Sequence, residues 1–491
     1  MFYTETRDGA VNITASQAIV NGISEDGGLY VPSSFPKLSP DDIDALRHLD
    51  YKELAAEIIS KFLDFDRDEL KKYCDAAYSR FDTDEVCPVV KTDEGTFILE
   101  LFHGPTLAFK DVALTLLPHL LTASAKKVGL DKKILILVAT SGDTGKAALE
   151  GFRDVDGTRV TVLYPEEGVS EMQKLQMRTQ EGNNVAVIGI KGNFDDAQSA
   201  VKRIFTDERM VGKLSDKGYV LSSANSINWG RLVPQIVYYF HAYLELVRKG
   251  EIKTGDKINF AVPSGNFGDI LAGYYAKLMG LPVNKLICAS NSNKVLTDFF
   301  ETGVYDKNRE FYKTISPSMD ILVSSNLERL LFEISDRDAR FVREKMDELK
   351  TSGKYVVPLD MLAKAGIAAG YADEEATKMA IDCFFDSYNY PLDTHTAVAV
   401  TVYNNYVAET GDFTPTVIVA TASPFKFPSD VYGALAHEKA SDPFIAADKL
   451  AFISGIKVPD AIRSLLTKNI VHDKVVEKDK IDEAVLSLTE E

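Results

Sequence analysis

The sequence predicts an α/β protein organised around open, doubly wound parallel sheets. Three observations carry that expectation. Of the 491 residues, 45% are apolar and 26% charged, the balance of a globular chain and not of a disordered one. From about residue 130 onward, short β-branched runs bounded by turn residues alternate with longer stretches of helical periodicity. The short runs are apolar almost without interruption, as a parallel strand covered on both faces requires.

In chain order the expected strands are Ile134–Thr140, Val160–Tyr164, Val185–Ile190, Ile258–Val262, Lys285–Ala289 and Thr416–Thr421. Helical spacing of apolar residues fills Lys146–Arg153, Glu171–Glu181, Asp195–Asp207 and Gly230–Lys249. Strand, helix, strand at this spacing implies right-handed crossovers. The first hundred or so residues differ. A short hairpin opens the chain, and Asp41–His48 and Tyr51–Ala77 then have helical character, with Pro40 at the approach. Residues 300–380 are rich in charge and predict a mostly helical insert or lid whose charges face solvent. The expected organisation is an N-terminal region over 1–95 and an α/β region crossing between two lobes over 96–260. A second α/β lobe carrying the insert follows over 261–440, then a helical tail over 441–491.

A net charge of −18 argues against a nucleic-acid partner, which is bound by clustered Lys and Arg. It also means that any anionic substrate must be met by a locally built site. Cys74, Cys87, Cys288 and Cys383 lie far apart and form no CxxC pair, so neither a disulfide framework nor a metal cluster is expected, and a reducing compartment suits them. The opening MFYTETRDG carries no apolar signal region, and no stretch approaches about 18 uninterrupted apolar residues. A cytoplasmic protein without a membrane partner is the expectation, as a monomer or homodimer.

Ligands of such sheets bind beyond the carboxyl ends of strands, where a turn feeds a helix. Three strand ends qualify. Thr140-Ser141-Gly142-Asp143-Thr144-Gly145-Lys146 suggests a P-loop but fails it, with Thr140 where the first glycine belongs and Ala147 where the metal-binding hydroxyl belongs. A small-anion site at the helix N-terminus and a plain cap by Asp143 or Thr144 are equally supported by the spacing. Ser264-Gly265-Asn266-Phe267-Gly268-Asp269 lacks the dinucleotide fingerprint, yet its glycines permit a nest of N–H groups fit for one phosphate. Ala420-Thr421-Ala422-Ser423-Pro424 alone is an ordinary turn. Upstream, Lys110 ends an apolar stretch and opens an apolar helix, a desolvating place for an amine and therefore suited to imine chemistry. A lysine snorkelling at a helix start is the commoner occurrence. The helix dipole opposes a cation there, however.

Taken together, HGPTLAFKD at 103–111, TSGDTGKAA at 140–148 and SGNFGD at 264–269 closely resemble threonine synthase. DGGLYVP at 26–32 and TASPFKFP at 421–428 extend the resemblance over essentially the whole chain, and the insert resembles the larger, microbial-and-fungal-type branch. The resemblance implies fold type II, the tryptophan-synthase β-like fold, with pyridoxal 5'-phosphate (PLP) as cofactor. On it, Lys110 would hold PLP covalently and act as the catalytic amine. Gly265, Asn266, Phe267, Gly268 and Asp269 would cradle its phosphate, and Thr421 would meet the ring nitrogen. Ser141, Asp143 and Thr144 would grip the substrate carboxylate, although related enzymes often carry Asn where this chain has Asp143. Asn225 and Asn228 would be further substrate-side groups. Lys146, Arg231 and Lys426 are the candidate cations for a substrate phosphate, with a surface ion pair at least as good a reading of Lys426.

The implied reaction converts O-phospho-L-homoserine and water to L-threonine and phosphate. A phospholyase releasing 2-oxobutyrate, or a catalytically silent relative, would share the same motifs. The intact Lys110 speaks against the silent one. Trp229 is expected in the core. His103 would lie near the cofactor, and no chemistry is expected of His395 or the remaining histidines.

Overall fold

The computed structural model describes residues 1–140, 142–166, 169–440 and 442–489. Two sheets dominate it. The five-stranded sheet runs Val475–Glu477, Val185–Lys191, Thr158–Pro165, Lys133–Ala139, Tyr219–Ser222, all parallel. The six-stranded sheet runs Ile367–Tyr371, Val283–Ser290, Ile258–Pro263, Thr416–Ala420, Thr96–Glu100, Val89–Asp93, parallel except for the last pair. Ile134, Leu135, Ile136, Leu137 and Val138 are buried, as are all of Ile258–Pro263, which is why their sequence carries no polar alternation. All six expected strands form, with ends displaced by a few residues at most.

Several expectations change. Thr96–Glu100 and Val89–Asp93, unforeseen as strands, join the sheet whose other four strands come from residues 258–420. The tail over 441–491 is not helical throughout, because Val475–Glu477 pairs with Val185–Lys191. The expected helical stretch Tyr51–Ala77 is two helices, Tyr51–Ser60 and Arg67–Tyr78. The segment between them turns inward to bury Phe62, Leu63 and Phe65, and Asp50 starts the first helix with a capping box to Glu53. The insert is less helical than its charge pattern suggests. Val304–Asp306 and Lys354–Val356 form an antiparallel pair, with Tyr305 stacked on Tyr355 at 5.0 Å, and Ile367–Tyr371 leaves the insert for the main sheet.

At the amino end, Phe2–Glu5 pairs with both Ile13–Thr14 and Tyr30–Pro32. The fully buried Arg329 of the insert fastens this region to the rest. It donates to the carbonyls of Tyr30, Ser226 and Ile227 and to Asn326 Oδ1. Trp229 is fully buried against Tyr3, Phe62 and Tyr275. Cys74, Cys87 and Cys288 are buried, Cys383 is exposed, and all four are free. Among the described residues no helix is long and apolar enough to cross a membrane, and no cluster of His, Cys, Asp or Glu could hold a metal ion.

Candidate active site

A short seam between distant segments sets the site. The N–H of Leu101 donates to Ala420 O (3.0 Å), that of Phe109 to Thr421 O (2.8 Å) and that of Ser423 to Leu107 O (3.0 Å). The seam fixes Thr421, at the end of its strand, beside Lys110, the first residue of the helix Lys110–Leu114. The turn before Lys110 is closed by Asp111, which accepts from the Thr106 N–H (2.8 Å) and hydroxyl (2.6 Å). Gly104 is required there, because a Cβ on it would lie 2.3 Å from that of Asp111. His103 holds the outer edge of the turn between Asp82 (2.6 Å) and Glu100 (2.8 Å).

Lys110 is buried, and its Nζ donates to Asp143 Oδ2 (3.4 Å) and Ser318 Oγ (3.3 Å). Burial pushes this amine below the usual lysine range. Asp143 opposes the shift, and Arg231 and Lys426 add to it. Asp143 opens the helix Asp143–Gly151 and is buried. Its Oδ1 accepts from Gln173 Nε2 (2.9 Å) and faces Lys426 Nζ (3.2 Å), and its Oδ2 accepts from Ser318 Oγ (2.9 Å). Burial alone would raise this carboxyl, but Lys426 and then Lys110 hold it well below the carboxylate range. Ser318 is placed from above: its N–H donates to His395 Nε2 (3.1 Å), and His395 Nδ1 is bonded to Asp393 (2.8 Å). Asp320, held by Asn291, Asn293 and Thr314, ties down the loop that carries Ser318.

The second strand end, after Ile258–Pro263, lies against the Ser318 loop. A Cβ on Gly265 would sit 2.9 Å from Ser318 O, so only glycine allows this close approach. The carbonyls of Gly265 and Asn266 are engaged by Ser324 Oγ (2.7 Å) and by Asn326 Nδ2 (3.0 Å). Phe267 takes the left-handed conformation, φ +64°, and turns the chain into the helix Gly268–Met279. The N–H groups of that first helical turn are the donors left for a phosphate. Asp269 is buried, accepts from Tyr238 (2.6 Å) and Tyr239 (2.8 Å) through Oδ1, and has no partner for Oδ2 among the described residues. Burial pushes it up to about 6 against those two hydroxyls.

The predicted residues therefore divide. Lys110, Asp143, Gly265 and Thr421 come together, with Gly268 and Asp269 on the adjoining turn. Arg231 is buried near Lys110, spends one bond on Ala224 O (2.7 Å), pairs with no acidic residue among the described residues, and is lowered to about 10 by burial. Thr144 and Asn225 are half-buried at their turns, and Asn266 is exposed. Asn228 caps the helix Trp229–Arg248 and donates to Ile19 O and Ser223 O, which spends its side chain on structure. Lys146 is bonded to Glu150 and Gln180. Ser141 lies outside the described residues. The turn is not capped by Asp143 or Thr144, since Thr140 Oγ1 accepts from Gly142 and Gly145. Lys426 is a fully buried partner of Asp143, not a surface ion pair. His395, expected to be idle, supports Ser318. Ser318 and Gln173 carry no sequence signal; a buried Gln inside an amphipathic helix is the only hint.

Lys110, Lys426 and Arg231 outnumber Asp143 and the buried Asp111 carboxyl that also faces Lys426, which makes a locally cationic centre in an acidic chain. A buried primary amine, a glycine-lined turn on a helix N-terminus and a strand-end hydroxyl together fit a phosphorylated aldehyde cofactor such as PLP.

Comparison with known proteins agrees. Residues 2–78 match the family model "Threonine synthase N terminus", 91–423 match "Pyridoxal-phosphate dependent enzyme", and 396–477 match "Threonine synthase, C-terminal". The threonine synthase of Pseudomonas aeruginosa is 40% identical over 88% of this chain and 90% of its own length. Human threonine synthase-like 1 is 41% identical over 86% of this chain, which spans only 58% of that relative's length. The PLP-bound threonine synthase of Brucella melitensis superposes with a TM-score of 0.88 at 38% identity, covering both chains completely.

Proposed function

Because the chain belongs to the threonine synthase family of pyridoxal-phosphate-dependent enzymes, we propose that it converts O-phospho-L-homoserine and water to L-threonine and phosphate. The observation that carries this reading is the Lys110 amine, buried between Asp143 and Ser318 and next to the Gly265 turn. When bound, PLP supplies an electron sink for carbanions at the substrate's α- and β-carbons. Lys110 would hold it, with Gly265–Asp269 at its phosphate and Thr421 at its ring nitrogen.

The protein's own groups have defined tasks. Lys110 takes the α-proton and then a β-proton, a reach its long stem allows. Arg231, buried and without an acidic partner among the described residues, holds the substrate's phosphate until it leaves the γ-carbon. The hydroxyl of Thr144 and the backbone N–H groups of residues 143 and 144 receive the substrate carboxylate. One of the two protons is delivered to the γ-carbon, which becomes the methyl group. Water adds its hydroxyl at the β-carbon while its proton leaves with the phosphate, and the other proton returns to the α-carbon to complete threonine.

A phospholyase releasing 2-oxobutyrate would use the same lysine and the same phosphate turn, so the product alone separates it from a synthase. The test is to incubate purified, PLP-loaded protein with O-phospho-L-homoserine and identify the products. Threonine and phosphate in equal amounts are expected. Phosphate with 2-oxobutyrate would make the protein a phospholyase, and no turnover would overturn both readings.

A further inference from the structure

Asp143 is held asymmetrically. One oxygen, Oδ1, is anchored by Gln173 from the helix Glu171–Arg178 and by Lys426 from the turn Pro424–Lys426. Lys426 is itself anchored by Thr106 O (2.7 Å) with its side chain wholly inaccessible, so it bears on the amine from behind, as the partner of Asp143 and as a neighbouring cation. The other oxygen, Oδ2, faces Lys110 and Ser318. A carboxylate anchored behind and presented in front is not an anion-binding group for the substrate. We propose that Asp143 is the built-in counterion of the catalytic amine: Lys426 and Gln173 fix its orientation, and with Ser318 it holds the Lys110 ammonium formed when the amine takes a proton from the substrate.

Asp143 remains an anion throughout, because two lysines flank it, so the proton rests on Lys110 and is available for return to carbon. The geometry adds a requirement. The amine must be basic enough to take a proton from carbon in a site where burial, Arg231 and Lys426 all disfavour its charge, and Asp143 is the one opposing charge in contact with it among the described residues. The groups facing the pair are Lys426, Arg231 from the helix Trp229–Arg248, and His395 from the helix Thr394–Thr410 with Asp393 behind it. Lys426 is a positioning residue in this scheme, and Asp143 touches the reacting amine.

The inference rests on Lys110 being the catalytic amine, but its test does not depend on which product forms. The pH midpoint of the Lys110 amine is read in the full-length, cofactor-free protein by competitive labelling with acetic anhydride and mass spectrometry. Asp143→Asn is expected to lower the midpoint by about one pH unit or more, the usual reach of an opposite charge in contact. Lys426→Met is expected to raise it, since a neighbouring cation is removed. In the PLP-loaded protein, Asp143→Asn should likewise lower the pH at which the cofactor's visible absorbance changes. An unmoved or raised midpoint in Asp143→Asn overturns the proposal, and so do two midpoints displaced in the same direction, the signature of a structural disturbance. If circular dichroism shows Lys426→Met unfolded, the isosteric Asp143→Asn decides alone. Failure to make threonine would defeat the functional reading and leave these midpoints untouched.

Discussion

The turn from Lys133–Ala139 into Asp143–Gly151 and the turn from Ile258–Pro263 into Gly268–Met279 share one plan and differ in charge. Each follows a buried parallel strand, and each places an aspartate, 6% exposed, in the first turn of a helix. Asp143 is held far below the carboxylate range, and Asp269 is pushed up to about 6. Burial penalises both. What separates them is company, two lysines in one case and two tyrosine hydroxyls in the other. The first junction thus holds a permanent anion that keeps a cation in place. The second holds a carboxyl that is easily neutralised, and neutrality suits a neighbour of a phosphate.

The comparison is tested most severely at the amine. Lys110→Ala should lower turnover by more than about a thousand-fold, on the order of 4 kcal/mol in the barrier. The fold should survive, because Asp143 keeps Lys426 as partner and is not left as a lone buried charge. Turnover together with a thermal melt checks both halves. Wild-type activity would remove Lys110 from the site.

The next effect concerns stability at the second junction. Asp269 stays neutral in the folded chain up to about pH 6, whereas an ordinary aspartate ionises near 3.8. Between those values the folded state binds more protons than the unfolded one, so stability falls as pH rises through this window. The loss is about 3 kcal/mol. It is fully spared below pH about 4 and fully incurred above about 6. Asp269→Asn removes the titration, so the stability difference between variant and wild type, from urea unfolding at several pH values, should grow in the variant's favour from pH 4 to 7. Parallel curves would mean that Asp269 has a counter-charge after all and would dissolve the contrast with Asp143.

The same two junctions show what a sequence makes legible. Ile258–Pro263 is readable because every residue is buried, which leaves an apolar run broken only by Asn259. Thr96–Glu100 is not, since only Phe97, Ile98 and Leu99 are buried within it, and Val475–Glu477 is three partly exposed residues long. In the site, Lys110, Asp143, Gly265 and Thr421 sit in motifs, where local chain geometry and chemistry coincide. Ser318 lies 208 positions from the lysine it touches, on a loop whose place is fixed by Asn291, Asn293 and His395. Such a contact is a product of the fold and leaves no local pattern. Lys426 was misleading for a related reason. A lysine near an aromatic turn usually reaches solvent, and only the seam to Thr106 buries this one.

The smallest expected effect lies at a third strand end, which has neither a carboxylate nor a long helix behind it. Thr421 closes Thr416–Ala420 and is 7% exposed. Its carbonyl accepts from the Phe109 N–H, a bond that alanine keeps, so Thr421→Ala removes a hydroxyl and leaves the seam intact. A lost hydroxyl partner at a cofactor ring is worth about 1 kcal/mol, or roughly five-fold in rate. kcat should fall by that factor while KM for O-phospho-L-homoserine stays level, because the hydroxyl tunes the ring and does not hold the substrate. A loss as large as that of Lys110→Ala would give the third strand end a part in the chemistry itself, and an unchanged kcat would leave the seam as its only contribution.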